Sequence, residues 1–139
     1  MIDGQILDVL QECSRGSFAN MPFPEVVRKL AAVGIESYHA DLYRHEKTYY
    51  LPNGDSHVEK EGAQYAEELP AGAVAAELDS EAVQRALRRI QGRESGYLEF
   101  LQEIMKAGVS SYGVYLRGQR VIYSGRTGDQ HIERFPGSK

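Results

Sequence analysis

The residues best suited to chemistry in this sequence form a short polar pattern, Asp-x-His-x-Glu, which occurs twice. Its two copies are Asp55, His57 and Glu59, and Asp129, His131 and Glu133. If each copy lies in a β-strand, alternation places its three side chains on one face. A histidine flanked by carboxylates can act as a general base, and two triplets meeting at a symmetry axis can bind a divalent metal. The alternative, which we favour, is a solvated strand face with cross-strand ion pairs, because the spacing matches no recognised metal motif.

A second group of polar residues lies in the first predicted hairpin. His39 and Asp41 share a strand face, and Tyr49 is expected to lie across from them. The second copy has Gly113 and Tyr115 at the positions of His39 and Asp41, so a site kept by one half is expected in the first. The full set of candidate ligand or site residues is His39, Asp41, Tyr49, His57, Glu59, Tyr115 and His131, with an exposed polar sheet face as the alternative explanation. No catalytic residue, metal or cofactor is assigned, because the sequence contains no recognised catalytic or nucleotide-binding motif.

These residues belong to a segment that the chain contains twice. Residues 34–60 align without a gap with residues 108–134, at an offset of 74 positions. Nine of the 27 aligned pairs are identical, whereas unrelated segments share roughly one pair in sixteen at average composition. This similarity predicts an internal duplication of one supersecondary unit.

Hydrophobic periodicity predicts two helices before a β-meander in each copy. The predicted helices cover residues 2–15, with Gly16 as the stop, and 24–33; the third is capped by Asp79 or Ser80 and ended by Gly92, and the fourth is indicated by a stripe from Leu98 to Met105. The predicted strands cover 35–43, 48–51 and 56–60, and in the second copy a strand from 109, 120–124 and 130–135. Repeat one therefore spans about 2–60, a connector 61–78 and repeat two about 79–135, all within a single domain 1–139. The predicted fold class is α+β: an antiparallel sheet with about four helices on one face, polar residues on the other face and a pseudo-twofold axis.

Composition excludes several classes of function. A net charge of −4 argues against nucleic-acid or anionic-membrane binding, which require a basic face. No apolar run approaches the roughly 18–20 residues that span a bilayer, and the N-terminus lacks the features of a signal peptide. The single cysteine, Cys13, falls in the apolar stripe of the first helix and is expected to be a buried thiol. A lone cysteine is typical of a reducing compartment, so a cytoplasmic location is expected.

The hairpin segments also carry a family resemblance. SYHADLYRHEKTYYLPNGDSH, preceded by FPEVVRKLAAVGI, and the later EFLQEIMKAGVSSYGVYLRGQRVIYSGRTGDQHIERF resemble a bacterial family of small domains of unknown function, number 1398. Its members are often labelled phage-envelope-protein-like, and the resemblance covers nearly the whole chain. It implies no established activity, so no catalytic residue is carried over.

Three functional hypotheses are compatible with these features. The favoured one is a non-enzymatic binding or interaction module with a tyrosine-rich sheet formed by Tyr43, Tyr49, Tyr50, Tyr115 and Tyr123. The first alternative is a small enzyme or metal-binding protein that uses His and carboxylate side chains of the first half; the second is a phage-derived structural protein. The expected partner is a small molecule or a protein, and exposed edge strands make a homodimer one predicted assembly.

Overall fold

The structure is a computed structural model that describes residues 2–61 and 63–135. Residues 1, 62 and 136–139, which the predicted single domain includes, lie outside the described residues. Within these residues the chain forms α1 (Gly4–Phe18), α2 (Phe23–Ala32), β1 (Ser37–Asp41), β2 (Glu46–Tyr50), β3 (Ser56–Lys60), α3 (Ser80–Gln91), α4 (Tyr97–Lys106), β4 (Val109–Tyr115), β5 (Arg120–Gly125) and β6 (Gln130–Arg134). The predicted connector contains two short 3-10 helices, Ala63–Tyr65 and Ala71–Ala73.

The six strands form one antiparallel sheet in the order β3-β2-β1-β4-β5-β6. The two halves meet at β1 and β4, where Tyr38 lies opposite Val114 and Ala40 lies opposite Tyr112. Positions 74 residues apart thus exchange places about an axis between these two strands. The predicted α+β class, with four helices and an antiparallel sheet, is confirmed.

One face of the sheet is covered by the helices. Along β1, Tyr38 and Ala40 are buried whereas His39 between them is exposed. The buried strand residues join a single apolar cluster with residues from all four helices, such as Leu10, Leu30 and Ile104. We call this side of the sheet the covered face and the opposite side the open face. In the described part of the chain, none of the helices combines the length and apolar character needed to cross a bilayer.

The connections have matching backbone conformations in the two halves. Gly34 and Gly108, each just beyond the second helix of its half, have φ of 86° and 95°. Glycine is favoured in this left-handed region because it has no Cβ, and both residues were predicted to end these helices. His45 and Gln119, in the first hairpin turn of each half, have φ of 54° and 53°.

Helix α1 differs from its prediction because it continues through Gly16 to Phe18. The backbone N–H of Met21 donates a hydrogen bond of 2.8 Å to the carbonyl oxygen of Gly16, so the following loop folds back against the helix. The chain reverses instead at Asn20, where φ is 68°. Cys13 is fully buried in this helix, as predicted.

Candidate functional site

The most prominent feature of the fold is a cavity between the covered face and the helices. Its volume is about 810 Å³, within the range of roughly 300–1,000 Å³ that is typical of small-molecule sites. Apolar side chains from three helices form its walls: Phe23 and Val26 from α2, Leu87 from α3 and Phe100 from α4. A space of this size and composition can hold a small organic molecule.

Strand alternation supplies the polar groups of this cavity. On the covered face, Tyr38 lies beside Val114, and Tyr112 lies beside Tyr123 in the neighbouring row. All four of these residues line the cavity. The three tyrosines are at most 6% exposed, so their hydroxyl groups reach the cavity rather than bulk solvent.

Lys47 on β2 also lines this cavity, and it is only 3% exposed. Its Nζ lies 3.3 Å from Oε1 of Glu61 and 4.7 Å from the ring centroid of Tyr97. Burial acts to lower the pKa of Lys47, but the adjacent carboxylate of Glu61 acts to raise it, and the pKa lies above its usual range. The lysine on the cavity lining is therefore protonated at neutral pH.

The tyrosine hydroxyls differ in their hydrogen bonding. The hydroxyls of Tyr97 and Tyr112 lie 2.6 Å apart, and that of Tyr49 lies 2.8 Å from the Ser14 hydroxyl. The remaining two, on Tyr38 and Tyr123, have no hydrogen-bond partner among residues 2–61 and 63–135. Burial raises the pKa of both phenols, so they are neutral and free to donate to a ligand.

The opposite side of the cavity carries mostly apolar side chains, with Glu133 paired to Val121 across the strands. The ring of Phe135, which follows β6, meets the ring of Phe23 edge-on with 5.2 Å between centroids. Val121 on β5 lies on the same lining. The cavity thus combines a polar region around Lys47 with an apolar region around Phe135.

The two Asp-x-His-x-Glu patterns lie far apart. His57 is on β3 and His131 is on β6, at opposite edges of the sheet. Five strand spacings separate them, or about 24 Å. The hypothesis that the two triplets meet at the symmetry axis is therefore wrong, because the axis passes between β1 and β4.

These patterns also lie on the covered face rather than on the open one. His57 is opposite Tyr49, and His131 is opposite Tyr123, both of which point toward the helices. The side chains of His57 and Glu59 are 28% and 19% exposed, and Nε2 of His57 lies 2.9 Å from Oε2 of Glu59. The interpretation of a solvated outer strand face is thus corrected to partly buried pairs at the sheet edges. Within the described ranges, no three His, Cys, Asp or Glu side chains are arranged to hold a metal ion.

The residues of the first hairpin are divided between the two faces. His39 is exposed on the open face, with Nε2 3.4 Å from the hydroxyl of Tyr115, so the structure brings these two predicted residues together. Asp41 instead accepts hydrogen bonds from the backbone N–H groups of Tyr43 and Arg44 and stabilises the turn. Tyr49 pairs with Tyr38 and points toward the helices, so the expectation that it lies across from His39 is wrong.

The predicted tyrosine-rich sheet is likewise split. Tyr50 and Tyr115 flank His39 on the open face, each with 5.8 Å between ring centroids. Tyr49 and Tyr123 are on the covered face, and Tyr43 lies in the turn between β1 and β2.

The sequence does not predict a site role for Lys47, Tyr97 or Tyr38. A signal for Lys47 exists, because it is two positions from Tyr49 in a strand and must share its face. Lysine is rarely buried, however, and that tendency favours the opposite interpretation. The carboxylate that pairs with the buried lysine is that of Glu61, which follows the next strand, β3.

Comparison with known proteins gives a family but no activity. Residues 23–133 match the family model described as a protein of unknown function, DUF1398. None of the curated proteins matches the sequence. Because the family model matches well over half of the chain, the chain belongs to this family of proteins of unknown function, DUF1398.

Proposed function

We propose that this protein is a non-enzymatic binding module whose ligand is a small molecule held in the cavity between the sheet and the helices. The observation that carries the proposal is the cavity of about 810 Å³, on whose lining Tyr38 and Tyr123 have hydroxyls without a hydrogen-bond partner in the described chain. Hydroxyl groups on a cavity lining that the protein does not pair are available to hydrogen-bond a molecule held there.

The chemistry of the cavity favours binding over catalysis. Lys47 is held as an ammonium, and the phenols of Tyr38 and Tyr112 are held neutral by burial. A protonated lysine is not a nucleophile, and a neutral phenol of raised pKa is a poor general base near neutral pH. These groups are hydrogen-bond donors to a ligand. The tyrosine-rich surface that recognises the ligand is accordingly the covered face, not an exposed one.

Binding of Nile red, a neutral dye that fluoresces in apolar surroundings, tests the proposal. Val121→Trp places a large ring on the cavity lining, whereas Ile122→Trp places the same ring on the open face of the same strand. We expect wild type and Ile122→Trp to bind the dye alike and Val121→Trp to bind it at least tenfold more weakly. Absence of dye binding by the wild-type protein, or an equal loss in both variants, would contradict a site in this cavity.

We also infer that the two halves descend from one duplicated unit. The support is the aligned sequence of residues 34–60 and 108–134 together with the repeated order of two helices and three strands. A bacterial origin and the phage-envelope-like label stay predictions from the resemblance.

A further inference from the structure

The two sides of the cavity are equivalent in position but opposite in chemistry. Three pairs of residues 74 positions apart show this: Lys47 and Val121, Glu61 and Phe135, and Tyr97 and Phe23. Around Lys47, the ammonium lies 4.7 Å from the Tyr97 ring centroid; around Phe135, the ring lies 5.2 Å from that of Phe23. Each contact joins one residue from each half, so the two clusters are counterparts across the axis. At these three positions the residues around Lys47 are charged or polar, and their counterparts around Phe135 are apolar; the one partly buried charge that the described residues place on that side, Glu133 opposite Val121, is an anion.

From this asymmetry we propose that the ligand is an amphipathic carboxylic acid, with its carboxylate at Lys47 and its apolar body extending toward Val121 and Phe135. The inference rests on the proposed function, since it assigns the ligand class of the same cavity. Four strands, β2, β1, β4 and β5, lie under this path. Three strand spacings amount to about 14 Å, so the body is of medium length rather than a single small ring.

The polar end favours an anion because Lys47 lines the cavity and its counter-ion, Glu61, does not. Lys47 also lines a separate small pocket of about 10 Å³, and Glu61 lies on that pocket. An ammonium has three donors, and Glu61 is the carboxylate that pairs with it among the described residues. A ligand carboxylate can accept a charge-assisted hydrogen bond from Lys47 and another from the Tyr38 hydroxyl.

The other charged residues that line the cavity do not compete for this role. They are Arg93, Glu94, Glu99, Glu133 and Arg134, all of which are exposed or partly exposed and of mixed sign. Exposed charges are screened by solvent and contribute little to orienting a buried group. Among the charged residues that the structure places on this lining, Lys47 is the buried one.

Displacement of Nile red by decanoate and by decanol tests the proposal, because the two compounds share a chain and differ in the head group. We expect decanoate to displace the dye at a concentration at least tenfold below that of decanol. Lys47→Met removes the charge and keeps the length of the side chain, and it should abolish this preference. Lys60→Met removes an exposed lysine from the neighbouring strand and should preserve it.

A paired variant protects the test against misfolding. Lys47→Met leaves Glu61 buried without its partner, so Lys47→Met/Glu61→Gln, which removes both charges, is measured beside it. Equal displacement by decanoate and decanol in the wild-type protein would overturn the carboxylate assignment while leaving the cavity as the binding site. Persistence of the preference in both Lys47 variants would overturn it as well. Failure of the wild-type protein to bind Nile red at all would instead refute the proposed function.

Discussion

Removing the unpaired tyrosine hydroxyls separates a role in ligand binding from a role in folding. The hydroxyl groups of Tyr38 and Tyr123 make no hydrogen bond within the described residues. Tyr38→Phe and Tyr123→Phe therefore remove a hydroxyl from the cavity lining without breaking a hydrogen bond there. The expected change in the free energy of unfolding is close to zero, because no intramolecular hydrogen bond is lost.

Tyr49→Phe is the matched control on the same face of the sheet. Its hydroxyl lies 2.8 Å from the Ser14 hydroxyl, and the two residues are 1% and 5% exposed. Loss of such a hydrogen bond lowers the free energy of unfolding by about 0.5–1.5 kcal/mol, and by up to about 3 kcal/mol if the remaining hydroxyl is left buried without a partner. We expect Tyr49→Phe to lower the free energy of unfolding by about 1–2 kcal/mol. A domain of this length has about 7–20 kcal/mol of stability, so all three variants should fold.

Urea unfolding followed by circular dichroism measures these differences. The binding assay should give the reverse order: Tyr38→Phe weakens decanoate binding by about two- to tenfold, the equivalent of one hydrogen bond, while Tyr49→Phe leaves it unchanged. If Tyr38→Phe and Tyr123→Phe destabilise the protein as much as Tyr49→Phe, their hydroxyls serve the fold. The assignment of these groups to a ligand would then be wrong.

Three further predictions concern the fold around the cavity. Gly34→Ala and Gly108→Ala both place a side chain at positive φ, which costs about 1 kcal/mol, but a methyl group on Gly108 also overlaps the carbonyl oxygen of Glu77. Urea unfolding should therefore show Gly108→Ala to be less stable than Gly34→Ala by about 1–3 kcal/mol. Equal losses of stability in the two variants would contradict this packing. Burial and the neighbouring Glu12 raise the pKa of the Cys13 thiol to about 11. Ellman's reagent should therefore fail to label the folded protein at pH 8 and should label the protein unfolded in urea. Rapid labelling of the folded protein would show that the thiol is accessible. Burial raises the pKa of several tyrosines, which therefore favour the folded state only while their phenols are neutral. Stability should fall as the pH rises above about 10, because the tyrosines of the unfolded chain ionise first. Tyrosinate absorbance and circular dichroism should change together in one cooperative step, and separate steps would contradict this.

The fold was predictable because its determinants are local. The third strand of each half was predicted at its observed position in the first copy, 56–60, and within one residue in the second. Gly34 and Gly92 lie just after helices as expected, since helix termination depends on the few residues around it. The helix end that was wrong is the one at Gly16, which the helix passes through before the chain reverses at Asn20.

The candidate site was not predictable in the same way because it depends on pairing between distant segments. Alternation places Lys47 and Tyr49 on one face, but it does not tell which face is covered. The covered face is determined by the register of β1 against β4, where Tyr38 lies opposite Val114. It also depends on Glu61, which follows β3 in the chain and pairs with Lys47. Neither contact has a signature within a single stretch of sequence.

The topology explains why the repeated polar pattern was a poor guide to the site. The axis of the sheet lies between β1 and β4, so the last strand of each half, β3 or β6, lies at an outer edge. Two copies of a pattern on β3 and β6 are therefore at opposite edges of the sheet. His57 and His131 therefore cannot build a shared centre. Residues near the axis, by contrast, surround one common cavity, and identical halves would give it two identical ends. A ligand with a distinct head and body can be oriented only where the halves differ, and the exchange of Lys47 for Val121 is such a difference.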